Sequence, residues 1–305
     1  MNKETTIEGL RYIHEDGTVE GLAKISAKVI EDSKVGNSRL VTLQLVYPRF
    51  ILAEVNTHRV FSRNSSSSRA IPVSKLVEQV TMQPATPVHW GKNQPGMQAR
   101  EELDHQQKLQ AITTWFAAAK SATEYAKEMA LIGVHKQIVN RIIEPYLYTS
   151  TVLSSTYWDN FFELRLHEDA QPEFFELASV IDLALSNSTP KILSPGEWHL
   201  PYITQGDKDK LSLGELIKVS TARCCRVSYL KHDGSNATLR EDIDLHDKLV
   251  ASKPRHSSPA EHQATPATIW QRGFWNGTKY CGNFNRNWVQ YRKVIELGKE
   301  RRFGI

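Results

Sequence analysis

Three stretches of this sequence gather side chains of types that do chemistry. The densest is Thr57-His58-Arg59-Val60-Phe61-Ser62-Arg63-Asn64-Ser65-Ser66-Ser67-Ser68-Arg69. It offers three guanidinium forks, an imidazole, and hydroxyls and backbone N–H groups within one short segment, a set suited to holding a phosphate at close range. On composition alone the same residues also read as a solvated serine-rich loop. In the second stretch, Asn160 to Glu173, Arg165 sits among apolar residues. An unpaired cation there is costly, so it needs an anionic or carbonyl partner, either a neighbouring carboxylate or a ligand. Arg141, inside the apolar run Ile138 to Ile143, raises the same question. The third stretch is Thr221 to Tyr229 followed by His256 to His262. Two histidines there bring a metal to mind, but with no third ligand at usual spacing no metal site is assigned.

These residues need elements to position them. Ser38 to Tyr47 alternates Val41, Leu43, Leu45 and Tyr47 against a second set, which predicts a strand with one buried face. Phe50 to His58 reads as helical, and the polar stretch Ser62 to Arg69 breaks it before a helical segment at Val73 to Val80. Met82 to Gly96 carries three prolines and two glycines and reads as a loop. Beyond Glu101 the spacing of Leu109, Ile112, Phe116, Ala119, Ala126, Met129 and Ala130 predicts one long helix ending near Gly133. Further helices are expected at Val134 to Ile143, Pro172 to Leu185, Leu213 to Arg226, Arg240 to Ser252 and Asn287 to Leu297. Thr149 to Thr156 is strand or a lead into the next helix, and Gln263 to Trp270 is β-like. Few strands among many helices argue an α+β fold, and no G-x-G-x-x-G or P-loop is present.

The 305 residues bound the function classes further. Hydrophobic residues make up 40% and charged residues 24%, an ordinary globular balance that excludes a disordered or collagen-like chain. Lys plus Arg (38) less Asp plus Glu (34) gives a scattered +4, too little for a polybasic nucleic-acid arm yet compatible with a few arginines gripping one small anion. No apolar run approaches a membrane span, and Met1 to Leu22 shows no apolar signal segment, so a cytoplasmic protein is expected. Three cysteines, Cys224, Cys225 and Cys281, make neither a disulfide framework nor a cysteine-rich zinc site.

Taken together, the clusters resemble the flavin-dependent thymidylate synthases, also called thymidylate synthase complementing proteins. That family's signature R-H-R-x-x-S-x-N-x-x-S-x-R is met by Thr57 to Arg69 with only the first Arg replaced. Its N-F-x-x-L-R…A-Q-x-E segment matches Asn160 to Glu173, and its Arg-containing apolar stretch ending in Pro matches Arg141 to Pro145. The R-x-x-R-V-S and H-x-[ST]-P-x-E-H segments match Arg223 to Ser228 and His256 to His262. In the more familiar members those two segments precede the signature, whereas here they follow it. The resemblance therefore implies a circularly permuted relative: one domain over residues 1–305, flavin-site segments relocated to 213–297, and a long-helix insertion. Permutation is tolerated where old termini lie close and the new break falls in a surface connection.

By the same resemblance the chain would methylate dUMP to dTMP, drawing on methylenetetrahydrofolate, NADPH and bound FAD, as a homotetramer with active sites shared between subunits. Ser67 and Arg165 would act at the reacting nucleotide. Ser67, Ser68 and Arg69 would hold its phosphate, Arg141 would also hold the nucleotide, and Arg165 would reach the uracil carbonyls. His58, Arg59, Asn64 and Asn160 would line the flavin, joined by Ser228, His256 and Ser258. No cysteine nucleophile is needed in this family, and Cys224 and Cys225 read as small helix residues. Departures occur at Thr57, Ser65 and Ala70, and Glu54 stands where other members carry a nucleotide-contacting Gln; Gln290 and Arg292 offer side chains that could compensate. Two alternatives share the scaffold: a dUMP hydroxymethylase, and a non-catalytic flavin- or nucleotide-binding homologue. Neither a nucleic acid nor a membrane is an expected partner.

Overall fold

The structure, a computed structural model, describes residues 5–7, 11–227, 237–250, 255–268, 277–303 and 305. The chain begins with three short strands, β1 (Thr5–Ile7), β2 (Arg11–Ile13) and β3 (Val19–Glu20), and two long ones, β4 (Ser26–Val35) and β5 (Ser38–Pro48). A brief helix α1 (Leu52–Val55) leads into strand β6 (Ser62–Ser65). Then come α2 (Val73–Met82), α3 (His105–Leu131), α4 (Lys136–Val139), β7 (Tyr148–Ser155), α5 (Asp159–Arg165), α6 (Pro172–Ser186) and β8 (Lys191–Ile192). The last third supplies α7 (Gln205–Lys208), α8 (Leu213–Cys225), α9 (Leu239–Val250), β9 (Ala264–Pro266) and β10 (Trp288–Gln290), with a closing helix at Tyr291–Glu296. The strands order as β1-β2-β3-β4-β5-β7-β6, antiparallel throughout, with β8 running parallel against β4; β9 and β10 form a separate pair. The mixture is the α+β fold expected from the sequence.

Alternation along β5 explains the layering. Val41, Leu43, Leu45 and Tyr47 point to one face, where they pack with Phe174, Leu177, Val180 and Ile181 of α6. Leu40 belongs to the opposite face, packed against Trp288, Ala264 and Phe284 from the C-terminal third. The strand is thus buried on both sides rather than one, because the C-terminal segment folds back over the second face. That face is tied by polar groups as well. His199 Nδ1 lies 2.9 Å from Ser33 Oγ and its Nε2 lies 2.8 Å from Thr42 Oγ1; Thr42 Oγ1 is 2.6 Å from Ser154 Oγ, which is 2.8 Å from His262 Nδ1. All five residues are fully buried.

Local rules account for several element ends. Ser212 and Glu215 form a reciprocal capping box at the start of α8, Pro172 opens α6, and Asp104 caps α3 by accepting from Gln107 N. Gly133, at φ +86°, takes the left-handed turn that follows α3. Other expectations are corrected. Phe50 to His58 holds only a 3-10 turn (Arg49–Ile51) and the single turn α1, and Ser62–Ser65 is an edge strand because β7 offers it a pairing partner. Val134 to Ile143 is helical only over α4, and Asn287 to Leu297 begins as strand β10 before turning helical at Tyr291. In α3 the expected apolar stripe is buried only in part: Ala119 and Ala126 are buried with Thr123 between them, whereas Leu109 and Phe116 are exposed. Among the described residues, no helix is long and apolar enough to cross a membrane.

Thr42→Val keeps the side-chain shape but strips the central hydroxyl of the buried chain, leaving His199 and Ser154 short of a partner. Removal of one buried partner costs about 1–3 kcal/mol, so the urea midpoint should fall by a corresponding amount. An unchanged midpoint would show that these contacts contribute nothing net.

Candidate active site

The dense polar segment divides into a strand and a loop. Ser62 to Ser65 pair with Ser154 to Thr151 of β7 as β6. In the loop that follows, the carbonyls are held by donors from two other segments, the Arg49 turn and α4 with its C-cap. Ser66 O accepts from Arg49 Nη1 (3.1 Å), Ser68 O from Asn140 Nδ2 (2.7 Å), and Ala70 O from Lys136 Nζ (2.7 Å). Among the described residues, the backbone N–H groups of Ser68 and Arg69 donate to no protein group, and the exposed Arg69 side chain makes no ion pair or hydrogen bond. Carbonyls that are tied, beside N–H groups and a guanidinium that are not, make a polarity that can receive an anion.

The C-terminal third comes back to this strand and loop. Asn64 Nδ2 donates to Cys224 O at 2.9 Å, and Ser258 Oγ donates to Asn64 Oδ1 at 3.3 Å. Gln290 Nε2 reaches Ser62 Oγ and Glu261 O, so this buried residue fastens the join. Arg292 is engaged by Glu261 and Glu296. Between the segments lies a cavity of about 320 Å³, lined among others by Asn64, Ser67, Arg69, Cys225, His256 and Ser258. The structure thus brings together five of the candidate residues from both ends of the sequence.

Arg165, His58, Arg141, Asn160 and Arg59 are not among the residues that line that cavity. Arg165, at the end of α5, donates from Nε to His58 Nε2 at 3.0 Å, and its guanidinium carbon sits 4.2 Å above the Phe174 ring. Its partner is therefore neither a carboxylate nor a carbonyl but an imidazole and an aromatic face. Phe61, Phe161 and Phe174 surround His58, and burial, reinforced by Arg165 and Arg63, pushes the imidazole down to about 4. It is neutral at neutral pH and accepts from Arg165, which requires the proton on Nδ1. The two terminal nitrogens of Arg165 donate to no protein group among the described residues. Arg141 does have a carboxylate: its Nη1 lies 2.9 Å from both oxygens of Glu144. Ser68 Oγ (2.5 Å) and Arg49 Nε (3.1 Å) converge on the same carboxylate. Asn160 and Arg59 are exposed, and Ser228 lies outside the described residues.

Sequence reasoning did not single out Arg49, Asn140 or Glu144, though Pro48-Arg49 and Glu144-Pro145 mark rigid turns that could have drawn notice. At the departures, Thr57 Oγ1 donates to Glu54 O and Ser65 Oγ accepts from Thr151 Oγ1. Burial raises Cys224 well above the usual thiol range and pushes Cys225 up to about 12, so neither is a thiolate at neutral pH. The loop around His89 and Trp90 packs on the body: Trp90 meets Trp115 edge-on, Trp115 Nε1 donates to Ala85 O, and Val88 N donates to Glu173.

A family model described as thymidylate synthase complementing protein matches residues 17–191. Among solved structures, a UMP/dUMP methylase PolB from Streptomyces cacaoi bound with 5-Br dUMP aligns at 18% identity, covering 48% of this chain and 67% of its own, with a TM-score of 0.42. The same methylase bound with 5-Br UMP aligns at 13% identity over 55% and 91%, with a TM-score of 0.43. No curated protein matches.

The histidines give the fold a pH dependence whose sign is fixed. Burial pushes His199 and His262 down to about 3, alongside His58 at about 4, against an ordinary value of 6.5. Each therefore takes up a proton on unfolding between those values, so its contribution is complete above pH 6.5 and is lost as the pH falls. Glu31, raised to about 7 by burial, acts in the opposite sense as one group against three. The melting temperature should decline from about pH 6.5 to about pH 5, above the range where most carboxylates titrate. A flat or rising profile there would contradict these assignments.

Proposed function

The chain belongs to the thymidylate synthase complementing protein family, whose model spans more than half of it, and on that premise we propose that it is an FAD-dependent enzyme converting dUMP to dTMP with methylenetetrahydrofolate and NADPH. The observation that carries this reading is the cavity in which Asn64, Ser67 and Arg69 meet Cys225, His256 and Ser258. A family model read in linear order ends at residue 191, before the segments that supply half of that lining. Their return to the signature loop supports a single, circularly permuted domain over residues 1–305.

The residues present fit a flavin cofactor. Asn64 and Ser258 bring a carboxamide and a hydroxyl to one wall, His256 an imidazole, and the cavity is within the range of small-molecule sites. When bound, FAD would carry reducing electrons from NADPH to the nucleotide. The chain's own groups account for the rest. The N–H groups of Ser68 and Arg69, which have no protein acceptor among the described residues, would receive the nucleotide phosphate with the Arg69 side chain. Arg165 is fixed at Nε by His58 and from below by Phe174, which leaves its two terminal nitrogens to point at the uracil carbonyls. There they would favour the negative charge that builds on the ring as C5 becomes nucleophilic. Raised thiol pKa values at Cys224 and Cys225 agree with a ring activated by hydride and electrostatics rather than by thiolate attack. Arg165 is absent from the cavity lining of its own chain, which supports a homotetramer whose sites are completed by a second copy.

The test is the mass of the nucleotide product after anaerobic incubation with FAD, dUMP, methylenetetrahydrofolate and NADPH. A methyl-bearing product is expected, and Arg165→Ala should abolish it while the protein still binds FAD. A hydroxymethyl-bearing product would overturn the methylation reading, and loss of flavin from Arg165→Ala would overturn the placement of Arg165 at the uracil.

A further inference from the structure

Glu144 is a carboxylate on which two of the proposed nucleotide-binding residues, Ser68 and Arg141, converge together with Arg49. Its Oε1 accepts from Ser68 Oγ, Arg49 Nε and Arg141 Nη1, and its Oε2 from Arg141 Nη1 again. Two of the residues expected from the sequence resemblance to hold the nucleotide, Ser68 and Arg141, are thus already holding an anion that belongs to the chain itself. Their donors are those an oxyanion asks for, a hydroxyl and guanidinium N–H groups. Burial raises the carboxyl's pKa, but the Ser68, Arg141 and Arg49 contacts outweigh it and hold the group below the ordinary carboxylate range, so it is charged.

The partners differ in how firmly they are held. Arg49 is mostly buried and also donates to Ser66 O, so it is fixed to the loop. Ser68 is buried, with its carbonyl tied by Asn140. Pro145 fixes the turn that carries Glu144, since its ring locks one backbone dihedral. Arg141 alone is on a long flexible arm, 54% exposed, and its hydrogen bonds all go to Glu144. If the contact changes on binding, Arg141 is the group free to move.

We propose that Glu144 is an internal anion that holds Arg141 in the nucleotide-free chain and surrenders it to the nucleotide phosphate, so that it sets phosphate affinity as a positioning residue. This rests on the reading of the Ser67 to Arg69 loop as the phosphate site. After the exchange, Arg49 still neutralises Glu144, while the phosphate has Arg141, Arg69 and the loop N–H groups. Every nucleotide that binds must first break the Glu144–Arg141 pair and then tolerate a carboxylate nearby, a cost that falls only on ligands carrying the phosphate.

Glu144→Gln keeps the side-chain shape and an acceptor for Ser68 but removes the charge. Isothermal titration would compare dUMP with deoxyuridine, which lacks the phosphate, on wild type and variant, with thermal melting as the check of folding. The expected result is dUMP binding tighter by about fivefold in Glu144→Gln, deoxyuridine binding unchanged, and the difference shrinking as salt screens the charges. Unchanged or weaker dUMP binding in a folded variant would overturn the proposal and leave Glu144 a structural brace. Equal tightening of both ligands would overturn it too, since the effect would not act through the phosphate. Wild type that binds no dUMP would overturn the phosphate-site reading and this inference with it. Should Glu144→Gln not fold, Glu144→Asp keeps the charge but draws it back from Arg141, and a smaller tightening confined to dUMP is expected.

Discussion

The site depends on a buried hydrogen-bonded chain laid across one face of the sheet: Ser33, His199, Thr42, Ser154 and His262. Strands β4, β5 and β7 supply three of its members, and the C-terminal third supplies the two histidines. Inside the protein an unmade hydrogen bond is expensive, so these groups fix where the C-terminal segment lies, not merely that it packs. Trp288 adds apolar area on the same face and donates from Nε1 to Ser38 Oγ. With His262 held on Ser154, the neighbouring Ser258 to Glu261 turn is brought against β6, and Ser258 reaches Asn64. A site assembled from opposite ends of the sequence follows from that one registration.

Within the site the charges are separated by the company they keep. Arg165 is oriented by a neutral imidazole and an aromatic face, neither of which cancels its charge. Arg141 is balanced by a carboxylate, and Arg69 stands at the cavity without a protein partner among the described residues. Three guanidinium groups in three electrostatic settings suit three tasks: charge development on a ring, an exchangeable grip, and direct capture of an anion. The loop that carries Arg69 is shaped by its carbonyl partners, Arg49, Asn140 and Lys136, while the N–H groups of Ser68 and Arg69 have no protein acceptor among the described residues.

Much of this was legible in the sequence, and what was not has identifiable causes. The alternation in β5, the Pro172 start of α6 and the helix of α8 are local signals that survive folding. The five motif blocks were readable because their side chains are chemically unusual in their settings. Strands β6 and β10 were missed because short polar or aromatic segments become strands only when a partner is present, and their partners, β7 and β9, are supplied by tertiary structure. Of the stripe read along α3, Ala119 and Ala126 are buried together with Thr123 while Leu109 and Phe116 are exposed, a division that periodicity alone does not make. Arg165 was expected to need an anion or a carbonyl; that Phe174 and His58 would serve could not be seen without knowing that α5 and α6 flank the His58 turn. Glu144 was overlooked because nothing in its own segment shows that Arg49 and Ser68 arrive beside it.

The central claim is that the signature loop and the C-terminal segments form one ligand site rather than a packing contact. Titration of the purified chain with FAD, followed by flavin absorbance and fluorescence, tests it most directly when run on wild type, Asn64→Ala and His256→Ala. The account predicts saturable binding by wild type and weakened binding by both variants, each melting near the wild-type temperature. Wild type that binds no FAD, or a folded His256→Ala that binds it as wild type does while Asn64→Ala does not, would contradict the claim.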